Sequence, residues 1–258
     1  MKPRIAVFKF ASCDGCQLQF LNMEDELLKL AELVDFAFFP EARSRKLDGP
    51  YDIAFVEGSV TTPDDARRIV DVREQSRNVV TIGACATAGG IQALRNWADI
   101  EQYRRIVYPS PEFISTLSTS TPISEHVRVD FEVWGCPVDK HELLSVVRSL
   151  LSRAKPALPG YSVCMECKRR GNVCVVVARG EPCLGPVTRT GCGALCPSFN
   201  RGCYGCFGPA DDQNMASFER LLAAQGVAGD EAVRRLRGIN GYVTPWLESA
   251  DALAKSWK

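Results

Sequence analysis

Residues 4–16, RIAVFKFASCDGC, join a continuous apolar run to two closely spaced cysteines. The run Arg4–Ala11 has the length and composition of a β-strand covered on both faces, as in a parallel sheet. Cys13 and Cys16 follow it directly, with Gly15 between them. In open parallel sheets, the loops at the carboxyl ends of strands converge in one crevice where ligands bind. The stretch therefore predicts a strand that delivers two thiols to such a crevice.

The alternation of apolar runs and amphipathic stretches continues to about residue 154. Four further strands are predicted, over Val34–Pro40, Asp52–Glu57, Asn78–Gly83 and Val127–Trp134. Helices are predicted over Gln17–Leu33, from Thr62 onward, and over Asp139–Ala154. Thr62 and Asp139 have the residue type of N-caps, and Pro63 suits the first helical position. This alternation predicts an α/β domain with a doubly wound parallel sheet.

The segment KPALPG, residues 155–160, interrupts this alternation and predicts a domain boundary. We expect a first domain over residues 1–156 and a smaller second domain over residues 157–258. The second domain holds eight cysteines within residues 164–206 and shows little hydrophobic periodicity there. Beyond them, helices are predicted over Asp212–Gln225 and Asp230–Arg237.

The composition excludes several classes of protein. The 258 residues carry 31 lysines and arginines against 31 aspartates and glutamates, so the formal charge is zero. Such a chain has no overall field that would hold nucleic acid or an anionic membrane. No apolar run approaches the roughly 20 residues of a membrane-spanning helix, and the N-terminal run is too short for a secretory signal. The sequence therefore predicts a soluble cytoplasmic protein without membrane insertion.

Cysteine is unusually abundant, with twelve residues in the chain. Disulfides are disfavoured because cytosolic thiols are kept reduced, and metal binding is favoured instead. Since the chain has only two histidines, His126 and His141, any metal centre must be held almost entirely by thiolates. His141 stands beside Glu142 at the start of a predicted helix, so we interpret it as a surface residue.

Four cysteines each follow a predicted strand: Cys13, Cys16, Cys85 and Cys136. Three loops would therefore deliver four thiolates to one place at the edge of the sheet. Four thiolates suit either zinc or an iron–sulfur cluster. Gly15, Gly83 and Gly135 suit loops that approach a bulky inorganic group closely. The alternative is that Cys85 and Cys136 are ordinary buried thiols.

The remaining eight cysteines divide by order into two groups of four. The first group is Cys164, Cys167, Cys174 and Cys183, and the second is Cys192, Cys196, Cys203 and Cys206. A zinc ribbon would need two CxxC pairs about 15–20 residues apart, and here the pairs are much further apart. Three groups of four suit three [4Fe–4S] clusters better than three zinc ions. Cys136-Pro137 and Cys196-Pro197 resemble the cysteine–proline pairs of ferredoxin-type ligation.

Glu57 stands at the end of a predicted strand, in Glu57-Gly58-Ser59. Near the presumed crevice it could relay protons or contact a partner, and it could equally be a helix N-terminal charge or a surface acid. The glycine-rich segment Gly83–Gly90 does not suit a phosphate loop, because Cys85 occupies a place where bare backbone is needed. Aromatic residues interpreted as core are Trp134, Tyr51, Phe38 and Phe39.

Six motifs in this order resemble the small subunit of [NiFe] hydrogenases, over nearly the whole chain. They are Cys13-Asp14-Gly15-Cys16, Val56-Glu57-Gly58-Ser59, Gly83-Ala84-Cys85-Ala86, Gly135-Cys136-Pro137, Cys183-Leu184-Gly185-Pro186-Val187-Thr188 and Cys203-Tyr204-Gly205-Cys206. The resemblance implies a flavodoxin-like first domain with a proximal [4Fe–4S] cluster on Cys13, Cys16, Cys85 and Cys136. It also implies a second domain of loops and short helices with a medial and a distal cluster.

Two positions narrow the resemblance to cytoplasmic hydrogenases. Many membrane-bound and periplasmic members have histidine where this chain has Cys164, and proline where it has Cys196. With cysteine at both places, the resemblance implies a distal [4Fe–4S] cluster on Cys164, Cys167, Cys174 and Cys183. It implies a medial [4Fe–4S] cluster on Cys192, Cys196, Cys203 and Cys206. This all-cysteine set of ligands is similar to the sets in sulfhydrogenase delta subunits and in the gamma subunits of methyl-viologen-reducing and coenzyme-F420-reducing hydrogenases.

The resemblance implies an electron-transfer subunit of an oxidoreductase. The hydrogen chemistry would belong to a nickel–iron centre in a separate large subunit, and another partner would handle flavin or ferredoxin. Three alternatives remain: a free-standing polyferredoxin-like carrier, a zinc-stabilised interaction protein, and a relative of the 20 kDa subunit of complex I. That relative shares the first domain, but it carries adjacent cysteines where this chain has Ser12-Cys13 and lacks the eight-cysteine segment.

Overall fold

A five-stranded parallel sheet forms the centre of the first of two units into which the chain divides. The computed structural model describes residues 2–256, and the units are Met1–Pro156 and Ala157–Lys258. The strands are β1 (Arg4–Lys9), β2 (Asp35–Phe38), β3 (Tyr51–Glu57), β4 (Ser76–Ile82) and β5 (Phe131–Val133). Their order is β2-β1-β3-β4-β5, and every neighbouring pair is parallel. This is the order of flavodoxin-like sheets, so the predicted α/β fold class is confirmed.

The apolar runs form strands that are covered on both faces. Ile5, Ala6 and Val7 are consecutive residues of β1, and all three are fully buried. Successive side chains of a strand point to opposite faces, so burial of all three requires packing on each side of the sheet. The continuous apolar character of residues 4–11 follows from this position.

Within the described part of the first unit, residues 2–156, six α-helices accompany the sheet. They are α1 (Gly15–Leu21), α2 (Asp25–Leu33), α3 (Pro63–Glu74), α4 (Gly83–Ala88), α5 (Ile100–Val107) and α6 (Lys140–Leu151). The predicted helix starts are confirmed by hydrogen bonds. The Thr62 hydroxyl accepts from the Asp65 N–H, and the Asp65 carboxylate accepts from the Thr62 N–H, at 3.1 and 3.2 Å. The Asp139 carboxylate likewise accepts from backbone N–H groups in the first turn of α6.

Two elements differ from the sequence-based expectation. The single helix predicted over Gln17–Leu33 is wrong, because the backbone breaks between α1 and α2, where Glu24 has φ of +51°. The last strand is shorter than predicted, since the Asp130 side chain, rather than its backbone, accepts from the Val79 N–H at 2.8 Å. Tyr51 and Phe39 are buried as predicted, whereas Phe38 and Trp134 are only partly buried.

The second unit consists of loops with short helices, followed by three longer helices. The helices are α7 (Val163–Arg169), α8 (Val175–Arg179), α9 (Leu195–Ser198), α10 (Met215–Ala224), α11 (Gly229–Leu236) and α12 (Thr244–Ser256). Phe218, Leu236 and Trp246 are almost fully buried in its core, together with Cys183 and Cys203. The sequence did not predict α12, which supplies Trp246. Across residues 2–256, no helix combines the length and apolar character needed to cross a membrane.

Candidate metal centres

Three loops at the carboxyl edge of the sheet carry the first four cysteines. Cys13 and Cys16 follow β1, Cys85 lies in α4 directly after β4, and Cys136 follows β5. The loops after β4 and β5 are joined by a hydrogen bond of 2.7 Å from a backbone N–H to the carbonyl of Gly135. Charge on Cys85 and on Cys136 raises the pKa of Cys16, and charge on Cys13 raises the pKa values of Cys85 and Cys136, with burial the larger cause in each case. The structure therefore brings together the four thiols that the strand ends predicted.

Glycine leaves space directly beside two of these sulfur atoms. Gly83 has φ of +85°, and a Cβ added there would overlap the Cys16 sulfur. Gly90 has φ of +64°, and a Cβ there would lie 2.6 Å from the Cys85 sulfur. Both positions combine a left-handed backbone with a close approach to sulfur, so a side chain is excluded on two grounds.

Burial makes three of these four thiols weaker acids in the metal-free chain. Desolvation raises the pKa of Cys85 to about 11, and it also raises the pKa values of Cys16 and Cys136. A cationic iron–sulfur core would offset this cost, because thiolate is the form that binds metal. Among residues 2–256, no three histidine, cysteine or carboxylate side chains converge closely enough to hold a single metal ion. The fit to a cluster thus rests on the four-thiol donor set and on the glycine-lined space.

Glu57 is buried beside the first cysteine loop, with 1% of its surface exposed. One carboxylate oxygen accepts from the Cys16 backbone N–H at 3.0 Å, and the other accepts from Gln17 Nε2 at 2.9 Å. Desolvation raises the pKa of Glu57, while these hydrogen bonds favour its charged form. The interpretation as a surface acid is wrong. Glu57 fixes the backbone that positions Cys16.

Gln92 is a contact of the site that the sequence did not reveal. The Cys85 thiol donates to Gln92 Oε1 at 3.4 Å, and Gln92 Nε2 donates to the Ala11 carbonyl at 2.6 Å. The amide thus connects the third cysteine to the segment that precedes the first. Its position just after Gly89-Gly90 was the only sequence signal, and it did not distinguish this residue from its neighbours.

In the second unit, the first group of four thiols forms an electrostatically connected set. Cys164 and Cys167 lie in α7, Cys174 directly precedes α8, and Cys183 lies close before the turn Gly185–Val187. Desolvation raises the pKa of Cys164 to about 11, and charge on each of the other three raises it further. The structure therefore brings this predicted group together.

The second group is placed as two pairs. Charge on Cys196 raises the pKa of Cys192, and charge on Cys206 raises that of Cys203. In both cases desolvation is the larger cause. Charge on Cys183 also reaches Cys203, so the two groups are neighbours within this unit.

Backbone N–H groups point at the buried sulfur atoms of this unit. The Cys183 sulfur accepts from the Cys203 N–H at 3.1 Å and from the Gly185 N–H at 3.4 Å. The Cys203 sulfur accepts from the Gly205 N–H at 3.4 Å. Such hydrogen bonds favour the thiolate and adjust the potential of a bound cluster.

The chain matches known proteins over both units. A family model described as the 20 Kd subunit of NADH ubiquinone oxidoreductase matches residues 13–150. Sulfhydrogenase 2 subunit delta of Pyrococcus furiosus is 37% identical over 234 residues, covering 91% of this chain and 98% of that protein. The chain belongs to this family of hydrogenase small subunits. One subunit of an F420-non-reducing hydrogenase of Methanococcus voltae is 30% identical, covering 90% of this chain and 91% of that protein.

The solved structures similar to this small subunit include one of an NAD⁺-reducing [NiFe]-hydrogenase in the H2-reduced state. One chain of that structure has a TM-score of 0.58 and 32% identity, and the match covers 62% of this chain and 96% of that one. The family model ends inside the first unit, whereas the Pyrococcus furiosus relative aligns with 91% of the chain. The similarity to that relative therefore extends into the second unit, beyond the residues that the family model matches.

Proposed function

We propose that this small subunit carries electrons between a nickel–iron centre in a large subunit and a flavin- or ferredoxin-handling partner. Three [4Fe–4S] clusters would lie along the path. The observation that supports this most strongly is the meeting of four thiols from three strand-end loops beside bare glycine backbone. A simple soluble carrier would not need a five-stranded sheet to present one such site.

The ligands are assigned in three sets of four. The proximal set is Cys13, Cys16, Cys85 and Cys136; the distal set is Cys164, Cys167, Cys174 and Cys183; the medial set is Cys192, Cys196, Cys203 and Cys206. Electrostatic connection within the groups supports the first two sets. The medial set combines the pairs Cys192–Cys196 and Cys203–Cys206.

When bound, each cluster accepts one electron and passes it on. The residues of this chain hold the thiolates and set the environment in which that happens. Glu57 fixes the Cys16 backbone, and Gln92 Nε2 donates to the Ala11 carbonyl just before the loop of Cys13. The N–H groups of Gly185, Cys203 and Gly205 stabilise negative charge on sulfur. Burial of Cys16, Cys183 and Cys203 keeps water from those ligands.

The large subunit is proposed to cover the segment that follows Cys85. Ile91 and Leu94 flank Gln92 and are 55% and 45% exposed, and no residue of α5 is buried. Exposed apolar groups of this kind mark protein interfaces. A partner on this segment would lie next to the proximal set.

A cytoplasmic location belongs to the same proposal. None of the twelve cysteines, all of which lie within the described residues 2–256, forms a disulfide, and a reducing compartment keeps cysteines in that state. Electrons would pass there to a flavin- or ferredoxin-type protein rather than to a membrane component.

Co-purification combined with metal analysis tests the function. A tag on this chain should recover a larger subunit that contains nickel, and the complex should reduce a viologen dye with hydrogen gas. Recovery of the chain without any nickel protein would indicate a free-standing carrier. Zinc in place of iron would indicate an interaction protein.

A further inference from the structure

We propose that the surface around Cys174 docks the acidic face of a small electron-carrier protein. The inference rests on the proposed function, because it describes the partner that takes electrons from the distal set. Three features of residues 164–206 support it: their charge, their exposed apolar side chains and an exposed ligand thiol.

The eight-cysteine segment of this neutral chain is basic. Residues 164–206 include six lysines and arginines but only two acids, whereas the whole chain has 31 of each sign. The six cations are Lys168, Arg169, Arg170, Arg179, Arg189 and Arg201. Three of them directly follow Cys167, and Arg179 lies at the end of the short helix that begins after Cys174. The positive charge is therefore concentrated beside the distal set.

The two carboxylates of this segment accept hydrogen bonds from backbone N–H groups. Glu166 accepts from the Ala194 N–H at 3.0 Å, and Glu181 accepts from the Gly202 N–H at 2.8 Å. Lys168 and Arg179 are exposed, and within residues 2–256 neither pairs with a carboxylate. Their charge is thus available to an external anion, in contrast to Arg189, which pairs with Asp211.

Two exposed apolar side chains lie between Lys168 and Arg179 in the sequence. Val173 and Val177 are 65% and 86% exposed, and Cys174 is exposed as well. An apolar centre with a charged rim is the composition of a protein-binding surface. Because Cys174 is a proposed ligand, a protein seated on the two valines would be in contact with the distal set.

The positive charge of the rim, formed by Lys168 and Arg179, determines which protein can bind there. A second copy of this chain would bring the same positive excess to the interface and be repelled, whereas an acidic carrier would be attracted and steered to it. One electron would leave the distal centre, which is oxidised, and reduce the redox group of the carrier. No bond forms or breaks in this transfer. Each hydrogen molecule that the large subunit oxidises supplies two such electrons, which pass one at a time, and releases two protons.

The test uses the complete hydrogenase with hydrogen as reductant and two acceptors, an acidic ferredoxin and the dication methyl viologen. The variant Lys168→Glu/Arg179→Glu reverses two rim charges that have no carboxylate partner within the described residues 2–256. Its matched control, Lys29→Glu/Arg220→Glu, reverses two exposed helical cations elsewhere. A milder variant, Lys168→Gln/Arg179→Gln, covers the case in which charge reversal impairs folding.

We expect the charge reversal to lower kcat/KM for ferredoxin about tenfold at low ionic strength and to flatten its salt dependence. The Gln variant should show a smaller loss, while methyl viologen reduction and the control variant stay at the parental rate. Parental ferredoxin reduction by both rim variants would overturn the proposal. An equal loss with methyl viologen would overturn it too, by placing the effect inside the relay. If the parent complex reduces neither acceptor with hydrogen, the proposed function itself fails.

Discussion

The two units position their cysteines by different physical means. In the first, residues that are far apart in sequence meet because parallel strands end at one edge of a sheet, and only Cys16 of the four thiols is buried. In the second, eight cysteines lie within 43 residues of loops and short helices, and Cys183 and Cys203 are themselves part of the apolar core. On the proposed ligand assignment, the first unit is a scaffold that carries a site, whereas we expect the second unit to depend on its sites for much of its structure.

This difference also determines which ligand loss should be most damaging. Electrons from a large subunit would enter at the proximal set, so every acceptor depends on it. The distal set has an exposed member, Cys174, and small dyes could bypass it. The predictions below test this contrast, beginning with the largest effect.

Replacing Cys85 with serine should lower hydrogen-dependent methyl viologen reduction at least about 100-fold, because the entry centre loses a thiolate ligand. The corresponding change Cys174→Ser should lower the same rate less than about tenfold, because a small dye can take electrons from the medial set on the side of its partly exposed members Cys192, Cys196 and Cys206. Initial rates of both purified complexes measure this. Equal losses would contradict the order of the three centres.

Removal of iron should change the rate of amide hydrogen exchange in the second unit but not in the first. We expect backbone amides of residues 164–206 to exchange about 100-fold faster in the iron-free chain, because the thiolate attachments that order their loops are gone. Amides of β1, β3 and β4 should keep their protection, since their core is apolar. Exchange followed by mass spectrometry measures both regions in one sample. Equal loss of protection in the sheet would contradict the contrast.

Replacing Gly83 with alanine should remove the proximal centre and spare the others. The added Cβ would overlap the Cys16 sulfur, so the iron content should fall by about four atoms per chain. Gly180→Ala is the matched control, because Gly180 also has a positive φ, of +64°, but has no atom within 4 Å of the added Cβ. It should cost roughly 1–2 kcal/mol of backbone strain and no iron. Iron loss in both variants would mean that strain, rather than space, is responsible.

Much of the first site followed from the sequence, and the reasons are physical. A buried parallel strand needs a continuous apolar run, so the strand ends, and with them Cys13, Cys85 and Cys136, could be located from residue type alone. The burial of Glu57 could not be predicted, because it depends on Gln17, forty residues away and on another element. Gln92 was missed for the same reason.

The second unit was less predictable. The spacing of its cysteines grouped them, and the charge interactions of Cys164 agree with that grouping. Helix α12 was not predicted, although its Trp246 packs in the core of the unit and donates to Gln213 Oε1 at 2.8 Å. The break after α1 in the first unit was also missed, because the apolar spacing continues across Glu24 while the backbone there does not.

A smaller effect should appear in the pH dependence of the iron-free chain. The pKa of Cys85 rises from its ordinary value of 9.0 to about 11 in the fold, so the folded state retains a proton that the unfolded state releases in this range. The contribution of this thiol to the free energy of unfolding should be fully present below pH 9. It should fall as the pH rises toward 11, by at most about 1.4 kcal/mol per pH unit. Urea unfolding of parent and Cys85→Ala measures the difference. A parent slope no steeper than that of the variant would contradict the burial of this thiol.

Iron stoichiometry of the complete chain and of residues 1–156 tests the central claim most directly. Three four-iron centres, one in the first unit and two in the second, predict about twelve irons in the full chain and about four in the fragment. Both preparations should contain negligible zinc, and Mössbauer spectra should show only [4Fe–4S] centres. Eight or more irons in the fragment, or zinc in place of iron in the full chain, would contradict this division of the cysteines.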